Sequence, residues 1–244
     1  IRRLIMKNII AIQGLKGSGK DEVAKFLRYL LGTPSWMHQY WMAKLLNFKP
    51  LCNKWVISRY ASKLKEILSI IMNVDCNRFE DREFKEKYFF DFNNYKLMFI
   101  DNVPKDKLIT DKKFCNLIKQ NRLEEINKNY ILSIRQILQF FGTEICRKFL
   151  GDNLWIHCTL NDKHQNVIIA DQRFIVENNT LLNSDYNKFI IHVCRNLCQV
   201  GRHSSEQEVM ELYRKGRYDY EMPNNGTLKD LFNNCKTVSL FFIG

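Results

Sequence analysis

No run of about eighteen apolar residues occurs in this chain, so no segment is long enough to span a membrane as a helix. The opening, Ile1-Arg-Arg-Leu-Ile-Met-Lys7, holds too short an apolar run for a signal peptide, and Met6 is a candidate natural start. There is no Cys-x-x-Cys. The cysteines, Cys52, Cys76, Cys115, Cys146, Cys158, Cys194, Cys198 and Cys235, are spread widely, and the closest pair, Cys194 and Cys198, lacks the second pair that zinc would need. Reduced, mostly buried thiols in a cytoplasmic protein are the expectation. There is no internal repeat, no long disordered-looking tract and no basic tail. The 38 Lys and Arg against 26 Asp and Glu leave a net charge of +12, scattered along the 244 residues. Such a surplus attracts polyanions; the scatter favours small phosphorylated ligands, and no nucleic-acid partner is expected. An apolar fraction of 45% supports a sizeable core, and the length suits one α/β domain with insertions, or at most two small ones.

What is present centres on Gly14-Leu-Lys-Gly-Ser-Gly-Lys-Asp21. Before it, Asn8-Ile-Ile-Ala-Ile-Gln13 reads as a buried strand; after it, Val23, Ala24, Phe26, Leu27, Leu30 and Leu31 recur at helical spacing. Strand, glycine-rich loop and helix form a phosphate cradle, because backbone N–H groups and the helix N-terminus converge on one anion. Gly14, Lys16, Gly17, Ser18 and Gly19 form that loop, and Lys20 reaches the phosphates as a point charge. Asp21 and Glu22 follow, where Ser or Thr would offer magnesium a hydroxyl.

Further along, Gly32-Thr-Pro34 stops the first helix, and the aromatic cluster Trp36 to Met42 is read as core in preference to a base-stacking surface. Lys63 and Lys65 sit near the start of a helix over 61–74, serving either a phosphate partner or a solvated face. Arg78 to Lys87 alternates acids and bases, as a salt-bridged surface turn does. Residues 88–112 read as an irregular insertion over the active face, and 113–129 as helical. Ser133 and Gln136 form a capping box, Arg135 and Gln139 share a helical face, and the segment to Arg147 reads as two helical pieces around Gly142. Asn166 to Asp171 is a clean strand ending in an acid, placing Asp171 as a Walker B-like magnesium ligand, followed by Arg173 and Glu177. Lys188 to Val193 and Tyr218 to Met222 read as further strands, and Thr227 caps a final helix, Leu228 to Cys235. Arg195 and Arg202 serve either as a mobile phosphate clamp or as surface arginines; His203 reads as a capping or structural residue, with Ser204 or Ser205 as a cap.

In order, Gly-Leu-Lys-Gly-Ser-Gly-Lys-Asp at 14–21, Tyr-Ala-Ser-Lys-Leu-Lys-Glu at 60–66, Glu-Asp-Arg-Glu at 80–83, Ile-Arg-Gln with Gly-Thr-Glu at 134–144, Trp155, Asp-x-Arg at 171–173 with Glu177, and Asn-Asn-Gly-Thr-Leu-Lys-Asp-Leu at 224–231 resemble the phage- or virus-type deoxynucleoside monophosphate kinases. That resemblance covers most of the chain outside 32–58 and 88–130. It implies a three-layer α/β P-loop fold with a mostly parallel sheet, a helical acceptor-binding insertion at about 32–130 and a LID at about 195–206, within one domain. It implies transfer of a phosphoryl group from ATP to a deoxynucleoside monophosphate with Mg²⁺, in the cytoplasm, with a homodimer as one assembly. Lys16 to Asp21, with Glu22, Arg195 and Arg202, would hold the donor phosphates, and Asn225 and Gly226 would lie near adenine. Leu64, Lys65, Arg82, Arg135, Gly142, Thr143, Trp155, Asp171, Arg173 and Glu177 would hold the acceptor. Lys20, Asp171, Arg173 and Arg135 would carry catalysis, with Asp21 and Asp171 as metal ligands. Dephospho-coenzyme A and phosphomevalonate kinases share the loop and the acid near a strand, but not Gly-Thr-Glu or Asn-Asn-Gly-Thr; a nucleic-acid-binding ATPase lacks support from any basic stripe.

Overall fold

The computed structural model describes residues 7–38, 54–161, 163–198 and 204–242. Eight strands lie among them: β1 (Asn8–Gln13), β2 (Trp55–Ser58), β3 (Tyr88–Asp91), β4 (Lys96–Phe99), β5 (Leu132–Ser133), β6 (Asn166–Gln172), β7 (Asn187–Cys194) and β8 (Tyr220–Pro223). The chain divides into two compact units, Ile1–Tyr60 with Cys158–Gly244, and Ala61–His157.

The first unit is built on a five-stranded sheet in the order β2-β6-β1-β7-β8, with every pairing parallel. β1 lies at its centre and is buried on both faces, the environment for which an uninterrupted apolar run suits a parallel strand. Alternation along β1 sends Ile10 and Ile12 to one side, where they pack with Val23, Phe26, Leu27 and Leu30 of the helix Lys20–Leu31 and with Leu231 and Phe232 of the helix Leu228–Ser239. Phe26 and Phe232 meet edge to face with ring centroids 5.2 Å apart. On the opposite side, the Gln13 and Asn178 amides both donate to the Arg217 carbonyl, and His192 stacks on Tyr213 of the helix Ser204–Arg214. Thr227 and Asp230 close a capping box on the last helix. Because all five strands run the same way, the loops that follow them lie along one edge of the sheet, the edge where open parallel sheets bind ligands.

The second unit combines an antiparallel sheet, β4-β3-β5, with short helices. Its core gathers Leu64, Leu68, Phe79, Phe84, Phe90, Phe114, Ile137 and Trp155. The capping box of Ser133 and Gln136 opens the helix Ile134–Gln139, as its spacing predicts. The chain then continues through a π-helix, Phe140–Arg147, so Gly142 is not a break between two pieces. A Cβ on Gly142 would lie 2.7 Å from Leu64 Cδ2, so close packing against Leu64 accounts for the glycine.

Other expectations need correction. Residues 88–112 contain the β3–β4 hairpin and short 3-10 turns rather than irregular chain, since Tyr88–Asp91 and Lys96–Phe99 pair in register around the turn at 92–95. Residues 113–129 form two helices, Asp111–Lys119 and Leu123–Asn129, separated where Asn121 takes a left-handed conformation. β2 was not anticipated, and the last strand starts later than its aromatic run suggests, at Tyr220. Trp36 is 77% exposed and is not core; the rest of that cluster beyond His38 lies outside the described residues. Only Cys146 and Cys235 are buried among the described cysteines, the others being half-buried, and none of them is in a disulfide. No helix of the described residues is long and apolar enough to cross a membrane.

Phe232→Ala removes a fully buried ring that contacts both Phe26 and Tyr29. It should cost about 3–5 kcal/mol, read as a lower urea midpoint with the slope unchanged.

Candidate active site

At the carboxyl end of β1 the chain turns through residues 14–19 into the helix Lys20–Leu31. The turn depends on glycine. Gly14 has φ 151°, and a Cβ there would sit 2.6 Å from the Val193 carbonyl oxygen. Gly19 has φ 96° and is closed off by the Asn224 amide, which donates to the Ser18 carbonyl at 2.7 Å. Lys20 is buried, and its Nζ donates to the Gly14 and Leu15 carbonyls at 2.6 Å each. Burial pushes its pKa down to about 8; the nearby Arg173 guanidinium acts in the same direction, and Glu206, Asp21 and Cys198 oppose it. The Lys16 N–H donates to Glu206 Oε2 at 3.1 Å, and Arg195 Nη1 donates to the Gly17 carbonyl at 3.3 Å. The Ser18 hydroxyl is buried with no hydrogen-bond partner.

The neighbouring strand ends bring further groups to this edge. Asp171, on β6, accepts from the Tyr60 N–H at 3.0 Å. Tyr60 is itself buried, and burial, Glu177 and Asp171 together raise its phenol well above the ordinary range. Glu177 is buried and accepts from the Arg173 and Phe174 N–H groups at 2.7 and 2.9 Å, which fixes the loop between β6 and the next helix. Asp21 forms an ion pair with Arg59 at 2.7 Å, largely in solvent. Among the described residues no group of three or more His, Cys, Asp and Glu side chains is arranged to hold a metal ion. Asn225 Oδ1 accepts from the Asn196 N–H at 2.8 Å, tying the β8 loop to the β7 loop.

In the second unit, Lys65 pairs with Glu80 at 2.7 Å, while Arg82 and Arg135 share Glu86 Oε1 at 3.0 and 3.2 Å. Leu64 is buried against Gly142, whose carbonyl accepts from the Trp155 indole at 3.0 Å.

The sequence profile of the deoxynucleotide monophosphate kinases matches residues 8–235, nearly the whole chain. The chain belongs to the deoxynucleotide monophosphate kinase family. The protein is accordingly a phosphotransferase that acts on deoxynucleoside monophosphates, with a nucleotide-binding P-loop. No curated protein matches it in sequence. Among solved structures, a dephospho-CoA kinase from Campylobacter jejuni aligns over 97% of this chain and 98% of its own, at 14% identity and a TM-score of 0.36, too distant to carry an argument.

The kinase's expected donor residues Gly14, Lys16, Gly17, Ser18, Gly19 and Lys20 form one loop, and Arg195 reaches it. Asp171, Arg173 and Glu177 stand on the same sheet edge. Arg202, His203 and the side chains of Thr143, Ser204 and Ser205 lie outside the described residues. Sequence reasoning missed Glu206, Arg59, Tyr60 and Asn224, each of which bonds directly to the loop, its helix or Asp171. Of these, Tyr60 and Asn224 carried a local signal, each as the first residue of a quoted motif, at 60–66 and 224–231.

Two pH effects follow from burial in this kinase. On the expectation that Lys20 holds the donor phosphates, loss of its ammonium as pH rises through about 8 should lower nucleotide affinity of the free kinase about tenfold per pH unit above that, read by calorimetric titration. His192, buried against Tyr213 and Tyr218, has its pKa lowered to about 4 by burial, with Lys20 adding to the shift and Glu221 opposing it. The unfolded chain then binds the extra proton below about pH 6.5, so stability should fall between about pH 6.5 and 4, and His192→Gln should flatten that slope in urea denaturation.

Proposed function

We propose that this kinase transfers the γ-phosphoryl group of ATP to the 5′-phosphate of a deoxynucleoside monophosphate, with Mg²⁺ as the metal. The observation that carries the donor assignment is the buried Lys20 ammonium, held on two loop carbonyls at the carboxyl edge of a parallel sheet. Residues 14–20 wrap the donor phosphates with backbone N–H groups, and Lys20 turns from its carbonyls to the phosphate oxygens. Glu206 releases the Lys16 N–H as the phosphates arrive. Arg195 and Arg202 clamp the donor, Asn225 and Gly226 border its adenine, and closure of the segment 195–206 excludes water.

For the acceptor, Lys65, Arg82 and Arg135 of the unit 61–157 supply positive charge and Leu64, Gly142, Thr143 and Trp155 of that unit are its assigned neighbours; in the first unit Arg173 is assigned the same charge role. Asp171 and Glu177 orient the nucleotide and the β6 loop. On this reading, the unit 61–157 holds most of the acceptor-binding insertion of a single kinase domain. Mg²⁺ supplies charge neutralisation when bound. Kinase sites need few protein ligands because phosphates and water complete the shell, so Asp171 and Asp21 suffice as carboxylates. The partnerless Ser18 hydroxyl fits that requirement, offsetting the lack of a hydroxyl at Asp21 and Glu22. Little covalent chemistry is asked of the side chains; alignment and charge neutralisation lower the barrier. We further propose a cytoplasmic enzyme of phage or virus type, with a homodimer as one assembly and no nucleic-acid partner expected.

An assay of ATP consumption across all nucleoside and deoxynucleoside monophosphates tests this. Turnover of at least one deoxynucleotide is expected, and turnover of none overturns the proposal. Lys20→Ala and Asp171→Asn should each lower kcat by about 10²–10³-fold; unchanged rates would remove both residues from the mechanism.

A further inference from the structure

Three cations of the second unit pair with two carboxylates, and a fourth lies beside the backbone carbonyl of one of those residues. Lys65 Nζ lies 2.7 Å from Glu80 Oε1, and Lys85 Nζ lies 3.5 Å from the carbonyl oxygen of the same residue. Arg82 and Arg135 share Glu86 Oε1. The nearby Asp81 carboxylate caps the helix Arg82–Lys87, accepting from the Glu83 N–H at 2.9 Å. The exposures of the cations differ. The Lys65 side chain is only 13% exposed, whereas Arg82 is 81% exposed. Lys85 is half-buried, on the turn of the helix that follows Glu80.

Holding ammonium and guanidinium groups together is unfavourable unless an anion repays the repulsion. Lys85 registers that repulsion: burial, Lys65 and Arg135 all lower its pKa, against the opposing charges of Glu80 and Asp81. Lys87, two residues on, has the contrasting setting. It is exposed and pairs with Glu83 at 2.9 Å. The helix therefore directs Lys85 back to Glu80, whose carboxylate holds Lys65, and Lys87 to the exposed Glu83.

We propose that Lys85 binds the phosphate of the acceptor nucleotide beside Lys65 and Arg135, with the Glu80 carbonyl holding its ammonium in place before the phosphate arrives. The inference rests on the reading that the acceptor monophosphate binds among these cations. Lys85 is then a binding residue absent from the motif-based set, and the phosphate dianion takes over charge that Glu80 and Glu86 balance in the free protein. Lys85 moves no proton; its work is electrostatic.

The test uses the full chain with ATP and whichever deoxynucleotide the wild type turns over best. Lys85→Met keeps most of the apolar stem and removes the charge. It should raise KM for the deoxynucleotide and the Kd measured by calorimetry about 10- to 100-fold, with KM for ATP unchanged. Lys85→Arg should recover most of that loss. Lys87→Met, with the same change in net charge, should leave both constants within about twofold, as expected for an exposed charge. Thermal unfolding of each variant checks that the fold is intact. A deoxynucleotide KM within twofold of wild type in folded Lys85→Met overturns the inference, as does an equal rise in Lys87→Met. A wild type that phosphorylates no deoxynucleotide overturns the proposed function instead, so the two failures are distinguishable.

Discussion

A lysine ammonium buried at the end of a central strand is the constraint on which the first unit depends. Lys20 loses most of its hydration, and the Gly14 and Leu15 carbonyls compensate at 2.6 Å. For those carbonyls to point at Nζ, the loop must curl back over the first turn of the helix, which requires backbone that only glycine adopts without strain at 14 and 19. The curl also requires a fixed strand end. β1 provides it, pinned in register by β6 on one side and β7 on the other. The helix in turn is fixed by Phe26 packing on Phe232, so a large part of the apolar core serves to hold one charged atom in place.

The same sheet changes character along its length. Its middle is aliphatic, but its carboxyl end places Gln13 beside Gln172 and His192 in neighbouring strands. Gln13 Oε1, both amide atoms of Gln172 and His192 Nδ1 are buried without a protein partner. Such groups cost stability that an all-aliphatic layer would not. They lie directly before the loops that carry Gly14, Arg173 and Arg195, where local departures from good packing accompany function.

The second unit solves a different electrostatic problem. Lys65, Arg82 and Arg135 are paired with carboxylates, Glu80 and Glu86, and only Lys85 lies against a backbone carbonyl. Carboxylates are interchangeable with phosphate oxygens as acceptors, so an arriving anion replaces contacts instead of creating them from solvent. The hydrophobic cluster of Phe79, Phe84 and Phe90 beneath supplies the rigidity that long, exposed side chains lack.

The phosphate loop, β1, β6 and β7 were legible because each couples a buried apolar run to residue types with one strong local role: glycine at positive φ, an acid at a strand end, a capping threonine. The capping box of Ser133 and the Thr227 cap were legible for the same reason, since what they bond lies three residues away. The hairpin of β3 and β4 was not, because its strands are four residues long and their aromatic and polar residues fit several conformations. Nor was the exposure of Trp36, as a bulky side chain is core or surface depending on what packs over it. By itself, then, the amino-acid order determined the loop, its flanking strand and helix, and the chemical class of the ligand, all short-range properties of the chain. Only the tertiary structure decided that Glu206 occupies the Lys16 N–H, that Tyr60 braces Asp171, and that Lys85 turns to the Glu80 carbonyl while Lys87 pairs with Glu83. Those pairings join residues up to 190 positions apart or depend on which face of a helix is buried, and no local pattern encodes them.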